Sequence, residues 1–327
     1  MDTSTLTAWS QSRYGGPDVL TATTTVVPAP GRGEVLLQVA ATALNSADVR
    51  ILRGDPLVVR LAFGLHRPRT PVPGRDVAGT VVAVGPDAGT WRPGDRVAGE
   101  LSGGGLATHA TARADRVVAV PDALDPVVAA TLPLAGGTAW QALDLGAVGP
   151  GSRVLVVGAG GGVGTFAVRL AVLRGATVHA VCGAGALAVV AELGADRVDD
   201  YRAVDTATLP ADAYDAVIDI AGTTSLRALL RLVRPGGAVV GVAGGTNPVI
   251  GPLGRILAGA LLSIGRRRRY RPLAAAPRPE ITTQLVALAT AGELAPPIER
   301  TWPLAEARAA VAHVDAGHTV GKVVVVP

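Results

Sequence analysis

The residues best placed to do chemistry are the glycines of Gly158-Ala159-Gly160-Gly161-Gly162-Val163-Gly164. They follow the apolar run Val154-Leu155-Val156-Val157 and precede a stretch with helical spacing, so the order is strand, glycine turn, helix. Without a Cβ, glycine lets the backbone turn tightly, approach a pyrophosphate and pack the helix close to its strand. The helix N-terminus then offers free N–H groups and a positive dipole end to phosphate oxygens. A glycine-rich turn alone also serves as a plain connection, but the strand before this one and the βαβ unit after it point to a bound dinucleotide. Gly158, Gly160, Gly161, Gly162, Val163 and Gly164 are therefore the expected cofactor-binding residues.

An acidic residue after the second strand of such a unit marks NAD, and a nearby arginine marks NADP. Here that stretch reads Val181-Cys182-Gly183-Ala184-Gly185-Ala186 and carries neither charge. Cys182, the single cysteine, excludes an internal disulfide and any site built from several thiolates; it reads as a small buried residue at the end of the second strand, where it is also counted among the expected cofactor-binding residues. The five histidines, His66, His109, His179, His313 and His318, are scattered singly, so no metal site is expected. Hydride transfer without a metal needs the substrate carbonyl or alkene polarised by hydrogen bonds instead.

The elements that must position these residues fall into two textures. Residues 1–125 read as short strands between Gly- and Pro-rich turns, at Glu34 to Ala40, Ala78 to Val84, Arg96 to Ala98 and Arg116 to Val120. From 126 strands and helices alternate, the pattern of a parallel sheet covered on both faces. Strands are expected at Val154 to Val157, Thr177 to Val181, Ala216 to Ile220 and Ala238 to Val242. Helices are expected at Gly162 to Arg174, Ala186 to Leu193 and Ser225 to Val233, the last ended by Pro235-Gly236-Gly237. The tail holds helices at Ile281 to Ala291 and Leu304 to Val314, then a closing strand, Lys322 to Val326, expected to return to the first sheet.

A chain of 327 residues fits about two domains, and with 49% hydrophobic and 17% charged residues it has ample material for cores. Much of the formal charge of +4 sits in Arg266-Arg267-Arg268-Arg269-Tyr270-Arg271, read as a solvated strand edge or loop, so no nucleic-acid partner is expected. Gly, Arg or Pro interrupts every apolar stretch before it can span a membrane, and Met1 to Arg13 lacks the basic start and apolar core of a signal peptide. A cytoplasmic protein without a membrane partner is the expectation.

Further motifs resemble a known family. In order they are Tyr14-Gly15-Gly16-Pro17-Asp18-Val19-Leu20, Asn45-Ser46-Ala47-Asp48, Pro73-Gly74-Arg75-Asp76-Val77-Ala78-Gly79 and Pro93-Gly94-Asp95-Arg96-Val97. Leu132-Pro133-Leu134-Ala135-Gly136-Gly137-Thr138-Ala139-Trp140, Leu193-Gly194-Ala195-Asp196, Asp200-Tyr201 and Gly321-Lys322-Val323 follow. The chain resembles the zinc-independent quinone oxidoreductase and enoyl reductase branch of the medium-chain dehydrogenase/reductase superfamily over nearly its whole length. The resemblance implies an α/β chain, a doubly wound Rossmann sheet inserted in a chaperonin-10-like (GroES-like) β domain. The β domain would take 1–125 and 295–327, and the Rossmann domain 126–294.

The resemblance also implies NADPH, with NADH as the other candidate, and a homodimer, for which the strand near Arg267 to Pro272 is the pairing edge. It puts Asn45 near nicotinamide and substrate, Thr138 near the cofactor, and Ala243, Gly244 and Gly245 on the loop flanking it. Asn45 and His109 are the catalytic candidates, His109 as an acid, whereas Asp48 and Asp76 are read as carboxylates that tie turns. Tyr201 reads either as a residue facing the adenosine ribose or as a strand-edge aromatic.

Zinc-dependent relatives carry a catalytic Cys where this chain has Asn45-Ser46-Ala47-Asp48. The chain also departs from NADPH-using members, with Gly185 where a basic residue often follows the second strand and Val320 where the tail often has Arg. The expected activity is zinc-free, NAD(P)H-dependent reduction of a small-molecule quinone, enone or enoyl substrate. The second expectation is a non-redox cyclase or isomerase reusing the fold.

Overall fold

The computed structural model describes residues 5–242 and 249–327. The chain forms two compact units, Met1–Gly137 with Pro277–Pro327, and Thr138–Ala276.

The first unit opens with strands β1 (Thr5–Ser10), β2 (Thr21–Val26) and β3 (Glu34–Leu44), then helices α1 (Ser46–Arg53) and α2 (Val59–Phe63). Strands β4 (Asp76–Val84), β5 (Arg96–Glu100), β6 (His109–Arg113) and β7 (Val117–Ala119) and helix α3 (Pro126–Thr131) follow. The second unit runs through α4 (Gly137–Leu145), β8 (Arg153–Val157), α5 (Gly162–Leu173), β9 (Thr177–Cys182), α6 (Leu187–Glu192) and β10 (Arg197–Asp200). It continues with β11 (Tyr214–Asp219), α7 (Leu226–Leu232), β12 (Val233–Gly241), α8 (Leu253–Ser263) and β13 (Arg269–Pro272). The chain returns to the first unit as α9 (Pro279–Thr290), β14 (Ile298–Pro303), α10 (Ala307–Asp315) and β15 (Lys322–Val326).

In the first unit β14, β15, β3, β4, β5 and β7 lie side by side, β6 pairs with β3, and β1 with β2 forms a separate ribbon. The expected return of the last strand is observed: β15 runs antiparallel to β3, with Val323, Val324 and Val325 opposite Leu44, Ala43 and Thr42. Val323 and Val325 join Leu44, Leu52, Leu106, Trp302 and Val311 in one core, so strands from both chain ends bury against each other. Strand β2, Thr-rich and exposed along its length, offers no apolar periodicity and was not anticipated.

The second unit is a parallel sheet in the order β10-β9-β8-β11-β12-β13. Counted from β8, that is the 3-2-1-4-5-6 order of dinucleotide-binding sheets, whose direction reverses between β8 and β11. Val154, Leu155, Val156, Val217, Ile218, Val239 and Val240 are buried, as a strand covered on both faces requires. Pro235-Gly236-Gly237 does not precede the fourth strand as expected but lies inside β12. The register there jumps from Tyr214 opposite Val233 to Ala216 opposite Ala238, so the turn residues form a bulge. The Arg266–Arg271 run ends in β13, an edge strand.

The units meet at Gly137/Thr138 and Ala276/Pro277 rather than at 125/126 and 294/295. Helix α3 lies against β3 and β4, and α9 against β7 and the π-helical turn Leu132–Gly136, so both helices belong to the β unit although their sequence texture is helical. Among the described residues no helix is long and apolar enough to cross a membrane.

Candidate functional site

Strand β8 delivers the glycine turn to the point where strand order reverses. Gly158 has φ +91°, and its N–H donates to the Val181 carbonyl at 3.0 Å. A Cβ there would stand 3.0 Å from the Ala221 nitrogen, while Ala221 N–H donates to Val157 O at 3.1 Å. The turn and the loop after β11 therefore flank one crevice at the carboxyl ends of the central strands. A Cβ on Gly164 would overlap the Gly158 carbonyl oxygen and stand 2.6 Å from the carbonyl carbon of Ala159, so helix and strand approach as closely as only glycine permits.

Gly161 is the N-cap of the 12-residue α5, makes no side-chain cap, and a Cβ on it would meet nothing within 4 Å. Gly162 and Val163 open the first turn and are half-buried. Free N–H groups at the N-terminus of a helix, facing open space that a side chain would fill, fit a pyrophosphate.

Cys182 ends β9 beside this turn and is buried; burial first, and the Asp200 charge second, push its thiol pKa up, which disfavours the thiolate. Asp200, at the end of β10, is its cross-strand neighbour. The next residue, Tyr201, donates its N–H to Cys182 O at 3.0 Å and is 48% exposed. Thr138 is half-buried in the first turn of α4. Ala243, Gly244 and Gly245 lie outside the described residues.

In the β unit a buried polar cluster surrounds Asn45. Its Nδ2 donates to the Ala43 carbonyl at 3.2 Å and to Asp76 Oδ2 at 2.9 Å, and its Oδ1 accepts from Lys322 Nζ at 2.5 Å. Both amide hydrogens and one lone pair are thereby used. Lys322 Nζ also donates to Leu44 O at 3.3 Å and stands 3.8 Å from Asp76 Oδ2. Asp76 Oδ1 accepts the N–H of Leu134, a residue of the π-helical turn, at 3.0 Å. Burial raises the Asp76 pKa to about 7 against the pull of Lys322, and burial lowers that of Lys322.

Asp48, in the first turn of α1, accepts the Asn45 N–H at 2.9 Å through Oδ2, while its Oδ1 is buried without a hydrogen-bond partner. Burial raises its pKa, opposed by the hydrogen bonds from Asn45 and the charges of Arg75 and Lys322. Asp48, Arg75, Phe63 and Thr70 line a small cavity within this unit. Arg75 is held by Glu100 at 2.5 Å.

The structure thus brings Gly158–Gly164, Cys182 and Tyr201 together, and separately gathers Asn45, Asp48, Asp76 and Lys322. It does not bring His109 to Asn45. His109 pairs with Gln38 on β3, seven residues before Asn45, roughly 20 Å along an extended strand, and its Nδ1 lies 3.2 Å from Thr108 Oγ1. Lys322 was not anticipated as a site residue. Its signal was legible, because a lysine opening the run Val323-Val324-Val325-Val326 must be paired if the strand is buried. Among the described residues no group of three or more His, Cys, Asp or Glu is placed to hold a metal ion.

A GroES-like β unit joined to a parallel sheet of 3-2-1-4-5-6 order is the architecture of medium-chain dehydrogenases and reductases. Residues 31–122 match the family model described as the alcohol dehydrogenase GroES-like domain, and residues 193–325 the model described as zinc-binding dehydrogenase. The chain is 33% identical over 319 residues to the chloroplastic quinone-oxidoreductase QR1 of Triphysaria versicolor, covering 92% of each chain. It is 34% identical over 253 residues to the chloroplastic NADPH-dependent alkenal/one oxidoreductase of Arabidopsis thaliana, covering 74% of this chain and 63% of the relative. The solved quinone oxidoreductase of Coxiella burnetii superposes with a TM-score of 0.86 at 29% identity, covering 99% of this chain and 100% of that one. The chain belongs to the medium-chain dehydrogenase/reductase superfamily, in its quinone oxidoreductase and enoyl reductase branch.

Proposed function

We propose that the protein is an oxidoreductase that uses a nicotinamide cofactor, NADPH in preference to NADH, to reduce a quinone, an enone or an enoyl-type substrate. The observation that carries this reading is the glycine turn opening α5 where the 3-2-1-4-5-6 sheet reverses direction. The names of the relatives support the substrate class, one a quinone oxidoreductase and another an alkenal/one oxidoreductase. They also favour redox chemistry over a cyclase or isomerase.

In this reading Gly158–Gly164 receive the pyrophosphate, Cys182 and Tyr201 border the adenosine, and Thr138, Ala243, Gly244 and Gly245 border the rest of the cofactor. The reduced nicotinamide, when bound, supplies the hydride. The chain's own residues orient the acceptor and meet the negative charge that moves to its oxygen. Asn45 is fixed by Lys322, Asp76 and Ala43, so it contributes a rigid polar wall with one free lone pair rather than a mobile donor. Asp48, buried with its Oδ1 unpartnered, borders the cavity lined by Phe63 and Arg75 and fixes the Asn45 backbone beside it. A homodimer paired through β13 and a cytoplasmic location belong to the same proposal.

The test follows the absorbance of reduced nicotinamide in mixtures of the purified protein with NADPH and naphthoquinone, an enal or an enone. Acceptor-dependent oxidation is expected. No oxidation across the panel, or conversion of substrate without it, sinks the reading.

A further inference from the structure

We infer that Arg202 reads the 2′-phosphate of NADPH and supplies the cationic contact that the stretch after β9 lacks; this rests on the proposed use of a nicotinamide dinucleotide.

In a sheet of this order the adenosine half of the dinucleotide leaves the first glycine turn and lies over the end of the second strand. Here the end of β9 is bare. Residues 182–186 carry no charge, and a Cβ on Gly185 would meet nothing within 4 Å. The neighbouring β10 closes that gap. It pairs with β9 so that Asp200 faces Cys182, and the Tyr201 N–H bonds the Cys182 carbonyl. A Cβ on Gly160 would come within 3.4 Å of Cys182 Cβ, and one on Gly183 within 3.3 Å of Tyr201 Cε1. Glycine turn, strand end and tyrosine are therefore contiguous.

The Arg202 guanidinium lies over the Tyr201 ring, 5.4 Å from its centroid, and makes no ion pair with a described carboxylate. Arg197, at the other end of β10, is committed to Asp199 at 2.7 Å. The Asp200 carboxylate, which would repel a phosphate and attract ribose hydroxyls, accepts the Arg202 N–H at 3.0 Å and is tied into its own turn. A guanidinium stacked on an aromatic face keeps its planar edge of donors free, and that edge matches two oxygens of a phosphate dianion.

The experiment titrates the full-length protein, wild type, Arg202→Ala and Arg202→Lys, with NADPH, NADH, 2′,5′-ADP and 5′-AMP. The wild type is expected to prefer NADPH over NADH and 2′,5′-ADP over 5′-AMP. Arg202→Ala should weaken the two 2′-phosphorylated ligands about ten- to a hundred-fold, the range of charge-assisted hydrogen bonds, with NADH and 5′-AMP nearly unchanged. Arg202→Lys should recover part of the loss. Equal weakening of all four ligands, no weakening, or wild-type preference for NADH overturns the inference while leaving a dinucleotide enzyme. Failure of the wild type to bind any of the four overturns the cofactor reading itself.

Discussion

The Lys322 ammonium is the residue on which the β unit's polar centre turns. It is 2% exposed, its partners are Asn45 Oδ1, Leu44 O and Asp76, and it closes the chain's last strand onto the end of β3. Lys322 opposes the burial that raises the Asp76 pKa, so Lys322→Met should destabilise the fold chiefly above about pH 7, by up to about 3–5 kcal/mol where Asp76 would have to be ionised and unpaired. The double variant with Asp76→Asn should recover part of that, a coupling that urea titrations of the four proteins would measure. No recovery would mean that the two groups act independently. Asp76 itself sets a pH dependence. Its ordinary pKa of 3.8 is raised to about 7, chiefly by burial, with Glu100 and Asp48 adding to the rise and Lys322 and Asn45 opposing it. The folded protein then holds a proton that the unfolded chain releases. This group's contribution to stability is full below 3.8 and is lost as pH rises through about 7. Asp76→Asn should flatten that decline in thermal midpoints measured across the same window, and an unchanged slope would assign it to other groups.

At the scale of elements, the β8–turn–α5 unit separates what glycine does for folding from what it does for binding. Gly164→Ala places a methyl group against the backbone at Gly158 and Ala159, which no rotamer change relieves. It should cost about 1–3 kcal/mol of stability along with dinucleotide binding. Gly161→Ala places the same methyl in open space at φ −82°, so the thermal midpoint should hold while binding of NADPH weakens, a split that melting curves and titrations together resolve. Loss of stability in Gly161→Ala, or undiminished binding, would remove the turn as the phosphate cradle. This unit was legible in the sequence because strand, turn and helix signals sit within a single local stretch. The cluster around Asn45 was not, because Asp76 and Lys322 reach it from strands 31 and 277 positions away along the chain, and local patterning carries no register between distant strands. The place of His109 was not legible for the same reason: its residue type was read as an acid candidate, while its pairing with Gln38 on β3 is set by a register between distant strands.

The whole molecule is a discontinuous β unit interrupted by a continuous α/β unit, and the order of the chain sets how each depends on its termini. Composition and alternation were enough to find both textures, yet the helical texture of α3 and α9 drew the boundary into the β unit by a helix on each side. What assigns those helices is packing against β3, β4 and β7, which no window of sequence displays. The tail carries the converse consequence. Strand β15 lies between β14 and β3, buries Val323, Val324 and Val325, and brings Lys322 to the Asn45 cluster. A chain ending at Ala316 leaves Thr42, Ala43 and Leu44 of β3 without their partners on that side, Asp76 without the Lys322 ammonium and β14 without a neighbour. The second unit takes all its strands from within Thr138–Ala276 and loses none of them. Limited proteolysis of the truncated protein should therefore digest both ends and leave a resistant core near residues 138–276, whereas the full chain resists along its length. A truncated protein as resistant as the full chain would show that the β unit does not depend on its closing strand.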